Sequence, residues 1–199
     1  MEYSHITHGF PPLYDEDCNI LILGSLPSVK SREQQFYYGH PQNRFWRVLA
    51  AVTGESVPVD IQEKKSFLLR NHIALYDSVY ECDIAGSSDS SIRNVVPADL
   101  SPILSAAHIS AIFTNGGTAT RVYNKYILPV TGIAPVPLPS TSPANAAWTL
   151  EKLIEEWSLT LKFLPYAGSG SVTLHPCASP CSGGRQCACA ENKARPKVI

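Results

Sequence analysis

The residues best suited to chemistry lie in Gln35-Phe36-Tyr37-Tyr38-Gly39-His40-Pro41-Gln42-Asn43-Arg44-Phe45-Trp46, where aromatics surround a His-Pro turn and a carboxamide. A flat base or sugar stacks on aromatic faces, and an Asn reads a base edge bidentately or holds a water. Three further clusters are small or polar: Gly24-Ser25-Leu26-Pro27-Ser28, Asn115-Gly116-Gly117 and Pro139-Ser140-Thr141-Ser142-Pro143. Exposed backbone amides in such turns form an anion or phosphate cradle. The same residues also serve simply to turn a chain. Residue type leaves two roles open at four positions. Asn43 either caps the helix that follows or acts on a ligand. His40 either shapes the turn before Pro41 or touches the ligand, Asn115 either supports a left-handed turn or lines a pocket, and Asp77 either ends a strand or lines a pocket. Walker-A, Gly-x-Gly-x-x-Gly, Gly-x-Ser-x-Gly and His-Glu-x-x-His patterns are missing. Their absence weakens nucleotide hydrolase, dinucleotide enzyme, esterase and zinc protease readings.

For these clusters to act together, the intervening chain must carry them to one rim. The uniformly aliphatic stretch 19–23 predicts a buried strand entering the Gly24 turn. Phe45, Trp46, Val48, Leu49 and Val52 recur at helical spacing and stop at Gly54, with Phe45 and Trp46 as core residues. A second helix is predicted over 59–71, a strand over 73–79, an exposed loop over 86–91, and a helix over 97–107 with Pro97 in its first turn. A strand over 109–114 leads into Asn115 and then a helix through Val122, Tyr123 and Ile127. Residues 136–140 form a Pro-interrupted strand suited to a sheet edge. Leu150, Leu153, Ile154, Trp157 and Leu161 make the stripe of a final amphipathic helix. Alternating strands and helices predict an α/β fold, a three-layer αβα sandwich on a mainly parallel four-stranded sheet, with the ligand site beyond the carboxyl ends of the strands.

The strand ending in Gly-x-x-Pro-Ser, the Tyr-Tyr-Gly-His-Pro-Gln-Asn-Arg-Phe-Trp block, the Thr-Asn-Gly-Gly strand end and the Leu-Pro-Ser-Thr-Ser-Pro-Ala-Asn block together resemble the uracil-DNA glycosylase superfamily. Over about residues 15–163 the chain is most similar to its hypoxanthine-DNA glycosylase branch, also called DNA-deoxyinosine glycosylases. The resemblance implies a monofunctional enzyme that flips a deaminated base, above all hypoxanthine, out of double-stranded DNA and excises it, leaving an abasic site. Gly24, Ser25, Pro27 and Ser28 occupy the first motif. Leu26 replaces the water-positioning Asn of mismatch-specific relatives, and the resemblance assigns catalysis to Asn43 instead. It implies Tyr38 as the ring that stacks on the base, Asp77, Ser78, Asn115 and His40 around the base, and Ser140 and Ser142 as phosphate-holding residues of the second motif. No lysine lies within these motifs and Lys30 is nearest, so neither a Schiff base nor strand cleavage is expected. A uracil- or mismatch-directed glycosylase and a noncatalytic DNA-lesion or nucleotide-binding module are the alternatives.

Across 199 residues, 16 Lys+Arg oppose 17 Asp+Glu. The last 33 residues hold Arg185, Lys193, Arg195 and Lys197 against the single acid Glu191, so residues 1–166 keep 12 basic and 16 acidic side chains, a formal −4. Such a body does not grip DNA through a coat of cations. No apolar run approaches a membrane span, and the first residues lack a secretory leader's pattern. The expectation is an intracellular monomer without membrane contact or cofactor, placed in the cytoplasm with the nucleoid or in a eukaryotic nucleus. Residues 1–166 form the expected catalytic domain. Residues 167–199 begin with a Gly/Ser linker and continue as a Cys-rich tail, expected to be an unstructured appendage. Its Cys177, Cys181, Cys187 and Cys189, with His175, are soft ligands, but C-x₃-C and C-x-C are not the paired C-x₂-C knuckles of a zinc site. Metal binding and disulfides remain the alternatives for the tail.

Overall fold

A computed structural model describes residues 3–86 and 91–165. Expectations for residues 87–90 and for the tail, including Cys177, Cys181, Cys187 and Cys189, lie outside these residues.

The chain opens with β1 (Ser4–Thr7) and, after an aromatic connection, enters β2 (Ile20–Gly24), whose Ile20, Leu21, Ile22 and Leu23 are all 0 % exposed. A strand with parallel neighbours and helices on both faces can be aliphatic at every position, which explains the missing alternation. The short α1 (Val29–Gln34) follows, capped by Ser28, whose hydroxyl accepts from the Ser31 amide. Next come α2 (Phe45–Thr53), ended by the left-handed Gly54, and α3 (Ile61–Arg70), capped by Asp60. The strand expected over 73–79 is two strands, β3 (Ile73–Asp77) and β4 (Val79–Ile84), in different sheets. Ser78 is the junction: its amide and its hydroxyl both donate to the Gly24 carbonyl, each at 2.9 Å.

After β5 (Arg93–Pro97) comes α4 (Ser101–Ala106). The helix expected over 97–107 is therefore shorter. Pro97 ends a strand, and Pro102 is the proline of the helix's first turn, where its missing N–H costs nothing. β6 (Ala111–Asn115) leads into α5 (Gly117–Val122), which continues through a π turn at Tyr123–Ile127 into α6 (Leu128–Thr131). Last come β7 (Val136–Leu138) and α7 (Leu150–Trp157), with a 3₁₀ turn at Ser158–Phe163. Leu161 falls in that turn and is exposed, so the apolar stripe ends at Trp157.

The main sheet has the order β3-β2-β6-β7, parallel throughout, with Pro-bearing β7 at the edge, as predicted. Helices cover it in a three-layer α/β arrangement. Phe45 of α2 packs edge-on against Trp157 of α7 at 5.7 Å, and both are fully buried. Each such side chain contributes about 1.5–3 kcal/mol by leaving water. A second, antiparallel sheet, β1-β4-β5, is absent from the alternating pattern read in the sequence.

Candidate functional site

The carboxyl ends of β2, β3 and β6 and the loop after β7 surround one cavity of about 570 Å³. Its wall includes Gly24, Ser25, Leu26, Pro27 and Ser28 from the β2 turn and Tyr38 and Asn43 from the aromatic loop. Asp77, Asn115, Ser140, Thr141 and Ser142 are among its polar lining. The three small-residue clusters thus share one rim, as parallel strand ends require. Two glycines allow the close approaches. A Cβ on Gly24 would lie 2.1 Å from Asp77 Oδ1, and Gly116 has φ +94° with no room for a Cβ, which would lie 2.7 Å from Ser140 Cβ.

Asn43 is oriented by a chain of hydrogen bonds whose direction is fixed at both ends by backbone amides. The Thr141 amide donates to Asn115 Oδ1 at 3.0 Å, which identifies the oxygen end of that carboxamide. Asn115 Nδ2 therefore donates to Thr141 Oγ1 and to Tyr38 Oη, each at 3.0 Å. Having accepted there, the Thr141 hydroxyl donates to Asn43 Oδ1 at 3.0 Å. That oxygen also accepts the amide of Phe45, the first residue of α2, at 3.0 Å. Arg44, not Asn43, is the N-cap residue of α2 and makes no side-chain cap bond; the Asn43 oxygen meets the first helical amide from one residue further out, and its amide nitrogen has no hydrogen-bond partner among the described residues. Asn43 lines the cavity as a ready N–H donor.

Tyr38 lies flat on Phe45, 3.8 Å between ring centres and 19° between planes, so a ligand has only the opposite face to stack on. Burial pushes its phenol well above the ordinary tyrosine range, and the nearby Asp77 charge pushes the same way. The same two causes, in that order, act on Tyr37, whose hydroxyl donates to the Pro11 carbonyl at 3.0 Å. Both phenols remain neutral. Asp77 is 4 % exposed, and its Oδ2 lies 2.9 Å from Nε2 of the buried His8. Asp77 Oδ1 has no hydrogen-bond partner among the described residues.

Not every predicted site residue meets the cavity. His40 lies outside its wall: the ring accepts from the Gln42 amide at 3.2 Å and the carbonyl from the Asn43 amide at 2.9 Å, so it shapes the turn. Ser78 is fully buried, with its amide and its hydroxyl both given to the Gly24 carbonyl. Asn115 reaches the wall with both amide hydrogens already used, and so acts through Tyr38 and Thr141. Three residues were missed. Thr141 is the link to Asn43. Arg44 donates to the carbonyls of Thr141, Ser142, Asn145 and Trp148, fastening the whole loop after β7. His8 directly follows the N-terminal strand, and the β1–β4 pairing carries it to Asp77; its amide donates to the Tyr80 carbonyl at 2.8 Å. No local motif announces it. Among the described residues no cluster of His, Cys, Asp or Glu is arranged to hold a metal ion.

Comparison with known proteins gives a consistent result. A family model described as the uracil DNA glycosylase superfamily matches residues 11–162. A Methanosarcina acetivorans protein named hypoxanthine DNA glycosylase is 34 % identical over 158 residues, 79 % of this chain and 99 % of that one. A Methanosarcina barkeri protein of the same name is 42 % identical over 87 residues, which are 43 % of this chain and 55 % of the relative. A solution NMR structure of a proposed uracil DNA glycosylase from Methanosarcina acetivorans superposes with a TM-score of 0.67 at 35 % identity, covering 77 % of this chain and 95 % of that one.

Proposed function

This chain belongs to the uracil DNA glycosylase superfamily, and from that membership we propose that it is a monofunctional DNA glycosylase that removes hypoxanthine from deoxyinosine in duplex DNA. The observation that carries the reading is the directed bond chain ending at Asn43, which leaves an amide N–H₂ unpaired in the wall of a cavity roomy enough for a flipped base. A base inside a duplex is out of reach, so it is rotated out. The cost of a few kcal/mol is smallest for a mispaired base, which already favours inosine opposite thymine. In the cavity the free face of Tyr38 stacks on the purine. As the N-glycosidic bond stretches, negative charge builds on the departing base and Asn43 Nδ2 donates to it. Donors held in place before charge develops need no reorganisation as it appears, and they are usually the largest catalytic contribution.

The sugar becomes oxocarbenium-like and is captured by water, giving free base and an abasic site. Leu26 stands in the wall where mismatch-specific relatives carry a water-positioning Asn, so leaving-group stabilisation carries more of the rate in this reading. No lysine is among the cavity residues, which supports base release without a Schiff base or strand cleavage. The Ser28, Ser140 and Ser142 region supplies hydroxyls and amides for the flanking phosphates.

The test is a set of duplexes containing inosine, uracil or xanthine, incubated with the protein and scored for alkali-labile abasic sites. Strand scission at inosine supports the proposal. Scission at uracil alone would replace hypoxanthine with a pyrimidine substrate, and binding without any abasic product would mark a lesion-binding module.

A further inference from the structure

The pair formed by His8 and Asp77 is used neither by the bond chain to Asn43 nor by the phosphate loops. His8 Nδ1 lies 2.8 Å from the Phe10 carbonyl oxygen, which only accepts, so Nδ1 carries a hydrogen. The 2.9 Å contact from Nε2 to Asp77 Oδ2 then holds one further proton. Whether that proton rests on nitrogen or oxygen, the pair as a whole is neutral, and Asp77 Oδ1 carries no hydrogen. The imidazole is fully buried and boxed by Phe10, Tyr76 and Tyr37 at ring distances of 4.5, 5.0 and 6.0 Å. Asp77 Oδ1 is held over Gly24 at the cavity wall, next to Tyr38 Oη: a Cβ on Gly24 would meet these two atoms at 2.1 and 3.0 Å.

We propose that His8 is a positioning residue for base selection, fixing Asp77 Oδ1 as an obligate hydrogen-bond acceptor for the ring N–H of a 6-oxopurine. The inference rests on the glycosylase reading above and names the group that would recognise the base. Hypoxanthine presents N1–H to such an acceptor. A purine whose N1 bears only a lone pair meets it with repulsion and leaves a buried acceptor unmet, the situation in which polar sites discriminate most strongly. Neutrality of the pair matters as well. A bare carboxylate beside a base gaining negative charge would oppose its departure, whereas a carboxylate paired with its own proton accepts a bond without adding net charge to the site. Without His8, Asp77 Oδ2 loses the contact that orients the carboxyl group and balances its charge, and Oδ1 loses its fixed identity as acceptor.

The test compares single-turnover base release from duplexes carrying deoxyinosine with release from duplexes carrying deoxynebularine, which lacks O6 and the N1 hydrogen. The readout is the ratio of the two rates, with thermal denaturation recorded for each variant. His8→Phe is expected to lower the ratio about tenfold or more. His8→Gln, which retains a donor to Asp77, should recover part of the loss. Asp77→Leu should lower the ratio comparably, and adding His8→Phe to it should lower the ratio no further. A His8→Phe protein with a reduced melting temperature and an unchanged ratio would make His8 a packing residue and overturn the inference. If that variant does not fold, an unchanged ratio in Asp77→Leu overturns it equally. A wild-type protein that releases hypoxanthine while these ratios stay put defeats the inference alone. One that releases no base from inosine DNA defeats the glycosylase reading and the inference with it.

Discussion

At Asn43 the oxygen serves the fold and the nitrogen serves the cavity, so truncation should separate into two measurable losses. Asn43→Ala removes the acceptor of the first helical amide, a cost of about 1 kcal/mol in denaturation, and a charge-directed donor, which should slow single-turnover base release about a hundredfold or more. Thr141→Val keeps the volume but deletes the hydroxyl between Asn115 and Asn43. It should leave the protein folded, cost about 1–3 kcal/mol for the unmet Asn115 donor, and slow release roughly tenfold as the Asn43 carboxamide loses one of its two restraints. Wild-type release from Thr141→Val would mean that the Phe45 amide alone orients Asn43. Asn43 and Asn115 were already candidates in the sequence, because carboxamides beside aromatics or at a strand end are chemical signals in themselves; Thr141 was not. Thr141 sits between two serines of the same general type. Only the folded loop shows that Thr141, fully buried at the cavity wall, spends its hydroxyl on Asn115 and Asn43.

Elements were legible where one physical cause dominates their composition. β2 is aliphatic because both its faces are covered, and α2 and α7 show a stripe because one face is. β4 and β5 carry charged residues such as Glu81, Asp83 and Arg93 on a thin two-sided sheet, and the pairing that defines them runs between distant segments. Local pattern holds no trace of that pairing, which is also why His8 was invisible. The element whose order matters most to the site is the irregular segment 141–148. Its carbonyls converge on Arg44, and Arg44 stands at the start of α2, so hydrogen bonds tie the loop, the helix and Asn43 together. A guanidinium offers five donors in a fixed fork where an ammonium offers one compact centre. Arg44→Lys should therefore raise amide hydrogen exchange across 141–148 while exchange in β2 stays at the wild-type level, and should weaken binding to inosine duplex. Unchanged exchange in that segment would show that Asn145, whose side chain bonds the Ser140 carbonyl at 2.9 Å, holds it unaided.

On the scale of the molecule, the formal −4 of residues 1–166 makes DNA binding a matter of local fit. Arg32 is the one basic residue in the cavity wall among the described residues, and its guanidinium already donates to the Pro27 carbonyl at 2.8 Å. Binding of inosine duplex by a chain ending at residue 165 should accordingly show a log–log salt slope of magnitude about three or less. A slope near that of a strongly basic protein would contradict a grip made by amides and hydroxyls. No helix among the described residues is long and apolar enough to cross a membrane. Fragment design is where the layout has its sharpest practical edge. The family match begins at residue 11, whereas the strand that delivers His8 to Asp77 ends at Thr7. An expression fragment trimmed to the homology boundary would retain every recognisable motif, fold around the same four parallel strands, and yet reach the assay with its carboxyl group unpartnered. Its weak or indiscriminate activity would then be charged to the enzyme when it belongs to the cut.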